Sequence, residues 1–329
     1  MSYIFRVKKD NFTMGKKPVY GEIDGMLTPP SFVPEVMREA MAFKPGPEDV
    51  IVTTYPKCGT TWSQQIVGLI LRKGKPYLTA EDYFGTLPFL EMTTMEELET
   101  LEKPRCIKTH FPFDRLNFSS EAKYIYVARH PADCVVSFFH HTRFFPIYHF
   151  TDGSFDDYFE LFIKGEVDWN DYFDHLLSWY EHRNEPNILF LTYENMKKDP
   201  REACLQIARF LGDDHYKTLV DNDEEILKKV LEYSSLEFMK KTVNEFWRQQ
   251  FTKVPSEEFQ RRNPVMKKYA KLMKQAAEQG HVHKGNFIRK GVVGEGKIQL
   301  SENQLQRLKE RIHEKTKHSD VMNLWKTDI

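Results

Sequence analysis

From residue 49 to residue 212, short apolar runs alternate with longer segments whose apolar positions recur every three or four residues. Residues 50–53 form a β-branched apolar run, the pattern of a strand covered on both faces. A helix is predicted from about Thr60, with Ile66, Val67, Ile70 and Leu71 on one side and Gly74 just past its end. RCIKT at 105–109, KYIYVA at 123–128 and the run at 188–192 read as further strands. Helices are predicted near 131–145, 155–163 and 168–183. The last carries an aromatic stripe of Trp169, Tyr172, Phe173, Leu176, Trp179 and Tyr180. Another is capped by Asp199, with Pro200 at its first position, Glu202 at its third and Gly212 beyond its end.

The flanks read differently. Residues 1–30 look irregular, and a short helix is predicted over 31–43, stopped by KPGPED. From Asp221 onward the pattern is helical, with Ser301 and Gln304 as a capping box before Leu305, Leu308 and Ile312. Strands separated by helix-length segments mean βα units. The fold class is therefore α/β: a single three-layer domain over 1–329, with a mostly parallel central sheet and a P-loop-like strand-loop-helix that binds phosphate. A helical stretch is expected around 243–285. Within it Asn263 caps, Pro264 starts and Gly280 ends a helix, whose apolar face is Val265, Met266, Tyr269, Leu272, Met273 and Ala276.

Composition narrows the partners. Of 329 residues, 47 are Lys or Arg and 48 are Asp or Glu, a net charge of -1. A nucleic-acid backbone is an unsuitable ligand for that balance, whereas local basic clusters still suit a small anion. Cys58, Cys106, Cys134 and Cys204 are widely spaced, with no CxxC pair. They read as free thiols, so a cytoplasmic location is expected and no metal site is. No apolar stretch is long enough for a membrane span.

TYPKCGTTW at 54–62 is the most informative segment. A strand ends, Gly59 lets the backbone turn closely, and a helix starts. Successive backbone N–H groups and the positive end of the helix then face one point, which suits an anion. Lys57 adds a charge, Thr60 and Thr61 add hydroxyl donors, and Trp62 offers an aromatic face to a base. Lys57 precedes the only Gly, so this is not a Walker A loop. Without such a loop or a magnesium-holding acidic residue, a nucleotide kinase is the weaker reading.

YPKCGTTW resembles the 5'-phosphosulfate loop of the cytosolic sulfotransferases, usually YPKSGTTW, with Cys58 in place of Ser. The change leaves a thiol beside the anion site. VARHPADCVVSFFHH at 127–141 resembles the family's second cofactor segment, which implies Arg129 and Ser137 on the 3'-phosphate of the nucleotide. FIRKGVVGEGK at 287–297 is similar to RKGxxGDWKN, which implies Arg289, Lys290 and Gly291 on the same phosphate. LTYENMKKDP at 191–200 implies Tyr193 near the adenine, and PFLE and KTHFP follow the family's order. The implied donor is 3'-phosphoadenosine 5'-phosphosulfate, leaving 3',5'-adenosine bisphosphate. There are departures: GEGKI lacks the Trp and Asn of GDWKN, and Ser234, Ser235 and Leu236 replace TSF before the adenine-facing helix that also carries Met239. KIQLSENQLQ does not resemble the family's dimer-forming stretch, so the chain is expected to be a monomer or a differently built homodimer.

His110 follows a strand and so stands at the carboxyl edge of the sheet, where α/β proteins bind ligands. It is the expected base, with Lys57 stabilising the departing oxygen and Lys108 a second cation. Phe84, Phe89, Phe139, Phe144, Phe145 and Tyr148, with Lys108 and His110, are expected to bind the acceptor. They favour a small hydrophobic hydroxylated molecule, a phenol, steroid or other alcohol. Two alternatives stand beside sulfuryl transfer: sulfation followed by elimination, and nucleotide binding without catalysis. Relatives in the family place RKG sooner after the TSF-like position, so the resemblance implies a helical insertion around 243–285. It is expected as an outer helix with a solvated basic face of Lys267, Lys268, Lys271 and Lys274, as a membrane-surface helix, or as a lid over the acceptor.

Overall fold

The computed structural model describes residues 16–252, 256–283 and 285–326. Residues 1–15 of the expected irregular segment, and 253–255 and 284 of the expected insertion, lie outside the described residues.

β3 (Asp49–Thr53), β4 (Arg105–Thr109), β5 (Lys123–Ala128) and β6 (Ile188–Thr192) form one parallel sheet in the order β4-β3-β5-β6. Alternation along the strands divides the core. Ile51, Tyr124 and Tyr126 face an aromatic layer that includes Tyr55, Phe138, Tyr158 and Trp179. Val50, Val52, Ile125 and Val127 face an aliphatic layer that includes Ile66, Ile70, Leu205 and Ile207. The central strands β3 and β5 are covered on both faces and read as nearly continuous apolar runs, whereas the edge strand β4 carries Arg105 and Lys108.

The order matters for function. β3 leads through the Thr60–Leu71 helix to β4 on one side, and the chain then crosses to β5 on the other side of β3. A crevice opens at the carboxyl ends of strands where direction reverses in this way.

The stretch before residue 30 departs from expectation. β1 (Gly21–Ile23) and β2 (Met26–Thr28) pair as an antiparallel hairpin. Asp24 and Gly25 turn it with φ of 50° and 78°, the Asp-Gly signal of a two-residue turn. The hairpin docks on the 169–170 bend through Leu27, whose N–H donates to Asn170 Oδ1 and whose carbonyl accepts from the Trp169 N–H. The helix expected over 168–183 is Tyr172–Tyr180. Asp171 caps it by accepting from the N–H groups of Phe173 and Asp174, so Trp169 is released from the helix. The helix expected over 31–43 is Pro34–Ala42, started by its Pro. Beyond β6 every described element is helical, including Leu236–Thr252, Glu257–Arg262 and Pro264–Glu278.

Candidate active site

β3 ends at Thr53 and the chain reverses through 54–59 into the Thr60–Leu71 helix. Lys57 and Gly59 take positive φ, 69° and 103°. Gly59 is needed twice over, since a Cβ there would lie 3.0 Å from the Tyr193 ring. No side chain caps this helix, so its first N–H groups remain available to an anion. Lys57, Gly59, Thr60, Thr61 and Trp62 all line a cavity of about 1520 Å³. Burial, and then the charges of Arg129, Arg289 and Lys108, pull Lys57 down to about 7. Its Nζ stands 4.4 Å from the centre of the Phe287 ring.

Cys58 corrects an expectation. Its thiol is turned into the core, 3.7 Å from the Cys134 sulfur, and it is absent from the cavity wall. The left-handed turns on either side send the side chains of residues 57 and 58 in opposite directions. All four cysteines are free and buried.

Lys108 and His110 come from the end of β4 and both line the cavity. His110 Nδ1 lies 2.8 Å from the Thr54 carbonyl, which can only accept. The ring proton is therefore on Nδ1, and Nε2 keeps a lone pair. The His110 main chain is held as well. Its N–H donates to Glu91 Oε1 (2.7 Å), and its carbonyl accepts from His175 Nε2 (3.0 Å). Phe89 and Trp169 set their rings edge-on at 5.2 and 4.9 Å. Burial, then the charges of Lys108, His175 and Lys57, push His110 down to about 3 despite the Thr54 hydrogen bond. Lys108 is lowered by burial to about 8, with Glu91 opposing. Burial raises Glu91 itself to about 7.

Arg129 follows β5 and lines the same cavity. Its guanidinium donates to the carbonyls of Lys57 and Val292, both at 3.1 Å, and lies 4.4 Å over the Tyr193 ring. Its Nε is buried without a partner. On the Pro131–Phe144 helix, Ser137, His140, His141 and Phe144 face the cavity at positions i, i+3, i+4 and i+7. Phe139 lies off that face and corrects a second expectation. It packs against Phe155 and Tyr158 at 5.3 and 5.9 Å, in the core.

Tyr193, Ser234, Leu236, Met239, Arg289, Lys290 and Gly291 complete this side of the cavity. Trp62 and Tyr193 meet edge to face at 5.7 Å. Leu236 packs so tightly on Gly291 that a Cβ there would lie 2.7 Å from its Cδ1. Phe84, Phe89, Phe144, Phe145 and Tyr148 line the remainder.

Sequence reasoning missed Trp169, His140, His141, Trp247, Phe287 and Glu295, all on the wall. The helical period running through Ser137 would have found the two histidines. Trp247 and Phe287 arrive from distant segments and meet ring to ring at 4.9 Å, with no sequence signal of it.

Comparison with known proteins decides the family. The sulfotransferase domain profile matches residues 47–320. The chain belongs to the sulfotransferase family. It is 30% identical to human sulfotransferase 1C2 over 75% of this chain and 92% of that one. It is 34% identical to mouse sulfotransferase 1B1 over 78% of each. Among solved structures, mouse sulfotransferase SULT7A1 complexed with PAP matches with a TM-score of 0.69 and 27% identity, over 94% of this sulfotransferase and 99% of that chain. A retinol dehydratase in a complex with retinol and PAP shares the fold, with a TM-score of 0.62 and 24% identity over 92% and 91%.

Proposed function

We propose that this enzyme, a sulfotransferase using 3'-phosphoadenosine 5'-phosphosulfate, sulfates the hydroxyl of a small apolar acceptor, with His110 as base. The observation that carries the assignment is the His110 ring, fixed by Thr54 so that its unprotonated Nε2 is the free nitrogen, in one cavity with Lys57 and Lys108. His110 takes the hydroxyl proton as the new S–O bond forms. Lys57 stabilises the oxygen that leaves with the 5'-phosphate, in the manner of phosphoryl-transfer sites. Lys108 orients the acceptor oxygen.

The residues fit such a nucleotide. The uncapped helix start and Lys57 suit the 5'-phosphosulfate, and the unpartnered Arg129 Nε with Ser137, Arg289 and Lys290 suits a 3'-phosphate. Trp62, Tyr193, Leu236 and Met239 suit the base. The aromatic wall of Phe84, Phe89, Phe144, Phe145, Tyr148 and Trp169 supports a phenol, steroid or similar alcohol. Four free, buried cysteines support work in the cytoplasm, and no described helix is long and apolar enough to cross a membrane.

His110→Ala tests the assignment. Turnover at saturating donor should fall about 10²–10⁴-fold while adenosine bisphosphate binding stays unchanged. Unchanged turnover would make His110 structural.

One observation favours a second step. His141 places another imidazole on the cavity wall, kept neutral chiefly by burial and then by the charges of Lys57, His110 and Lys108. With an allylic acceptor, His141 could take a proton from carbon as the C–O bond breaks and sulfate leaves. Labelled donor separates the readings: label in an organic sulfate means transfer alone, and label in inorganic sulfate with an alkene product means elimination.

A further inference from the structure

The cations assigned above to the 3'-phosphate already serve a carboxylate. Both terminal nitrogens of the Arg289 guanidinium donate to Glu295, one to Oε1 at 2.7 Å and the other to Oε2. The Lys290 ammonium lies 2.8 Å from Glu295 Oε1. Glu295 is itself buried, yet it reaches the cavity wall. Burial alone would raise this carboxyl, but its hydrogen bonds to Arg289 and Lys290 prevail and hold it near 2, so it is ionised at any working pH.

Its backbone is anchored. Glu295 opens the short Glu295–Gln299 helix, and Asp133 accepts from the N–H groups on both sides of it, Gly294 at 2.8 Å and Gly296 at 2.7 Å. Gly296 lies so close to the Pro131–Phe144 helix that a Cβ on it would be 2.4 Å from the Ala132 carbonyl. The main chain at 295 is therefore anchored to the Pro131–Phe144 helix. Displacement then falls to the Glu295 side chain.

We propose that Glu295 is a built-in competitor for the 3'-phosphate, setting nucleotide affinity by holding Arg289 and Lys290 until the phosphate displaces it. The inference rests on the 3'-phosphate assignment made above. A dianionic phosphate entering this corner must share or take over the Arg289 fork beside a fixed negative charge. Part of its attraction to the cations is then spent on breaking an existing ion pair. The donor and its bisphosphate product carry the same 3'-phosphate, so Glu295 weakens both alike. That is a uniform change in binding, and its consequence is easier product release.

Glu295→Gln removes the charge and keeps the shape. Calorimetry on the full chain should compare 3',5'-adenosine bisphosphate with adenosine 5'-phosphate in both proteins. The variant is expected to bind the bisphosphate about tenfold more tightly, the low end for a close charge pair, and the monophosphate unchanged. In turnover it should show a lower KM for donor and stronger inhibition by bisphosphate. Unchanged or weaker bisphosphate binding by Glu295→Gln would overturn the proposal and make Glu295 a residue that positions Arg289. A thermal melt matching the parent protein guards against a folding defect, and Glu295→Asp, which keeps the charge, should not reproduce the gain. If the parent protein binds the two nucleotides equally, the 3'-phosphate assignment itself fails, which is a separate result.

Discussion

At the scale of single residues, the site works by setting protonation states through burial. His110 is held near 3 and is neutral at neutral pH, so its Nε2 lone pair is free throughout the working range. Lys57, at about 7, titrates there, as do Glu91, at about 7, and Lys108, at about 8. The cationic forms of Lys57 and then Lys108 are lost as pH rises, so kcat/KM for donor should fall above about pH 7. The limb in kcat should lie higher, because a bound anion favours the charged lysine. Rate profiles from pH 5 to 9 check this. A profile with no alkaline limb would contradict the Lys57 assignment. Cys58 makes a quieter prediction. Its thiol faces Cys134 and not the cavity, so Cys58→Ser should alter bisphosphate affinity less than about twofold and stability by about 1 kcal/mol. Calorimetry and thermal melts measure the two.

At the scale of elements, three helices between residues 236 and 278 form one wall of the cavity. Trp247 comes from Leu236–Thr252, Arg262 from Glu257–Arg262, and Met266 and Tyr269 from Pro264–Glu278. Their ties favour a fixed wall. Asn263 caps its own helix through Met266 N–H and also donates to the Met92 carbonyl and Glu97. Lys268, expected on a solvated basic face, donates to the Phe32 carbonyl at 2.7 Å, and Val265 is fully buried. Hydrogen exchange across 256–283 should therefore be slow in the free protein. Adenosine bisphosphate with a tight acceptor should add less than about tenfold protection. Much larger added protection would establish a closing lid.

At the scale of the whole molecule, the legible parts were those set by local chemistry. β4, β5 and β6 were readable to the residue, because each is a short run rich in β-branched or aromatic residues set off by turn formers and helix-length segments. The strand-loop-helix at 49–71 and the caps at Asp199, Asn263 and Ser301 were equally plain, since each depends on neighbours in sequence. Lys57, Lys108, His110, Arg129 and Arg289 could be named because they stand in ordered motifs. Only the tertiary structure decided which side chains share the cavity. It turned Cys58 and Phe139 inward, brought Trp169 out of its expected helix, and joined Trp247 to Phe287 across 40 residues of chain. It also gave Glu295 to Arg289 and Lys290. The physical reason is range: propensity, capping and turn chemistry act within a few residues, whereas the direction of a side chain follows from packing between segments that meet only in the folded chain.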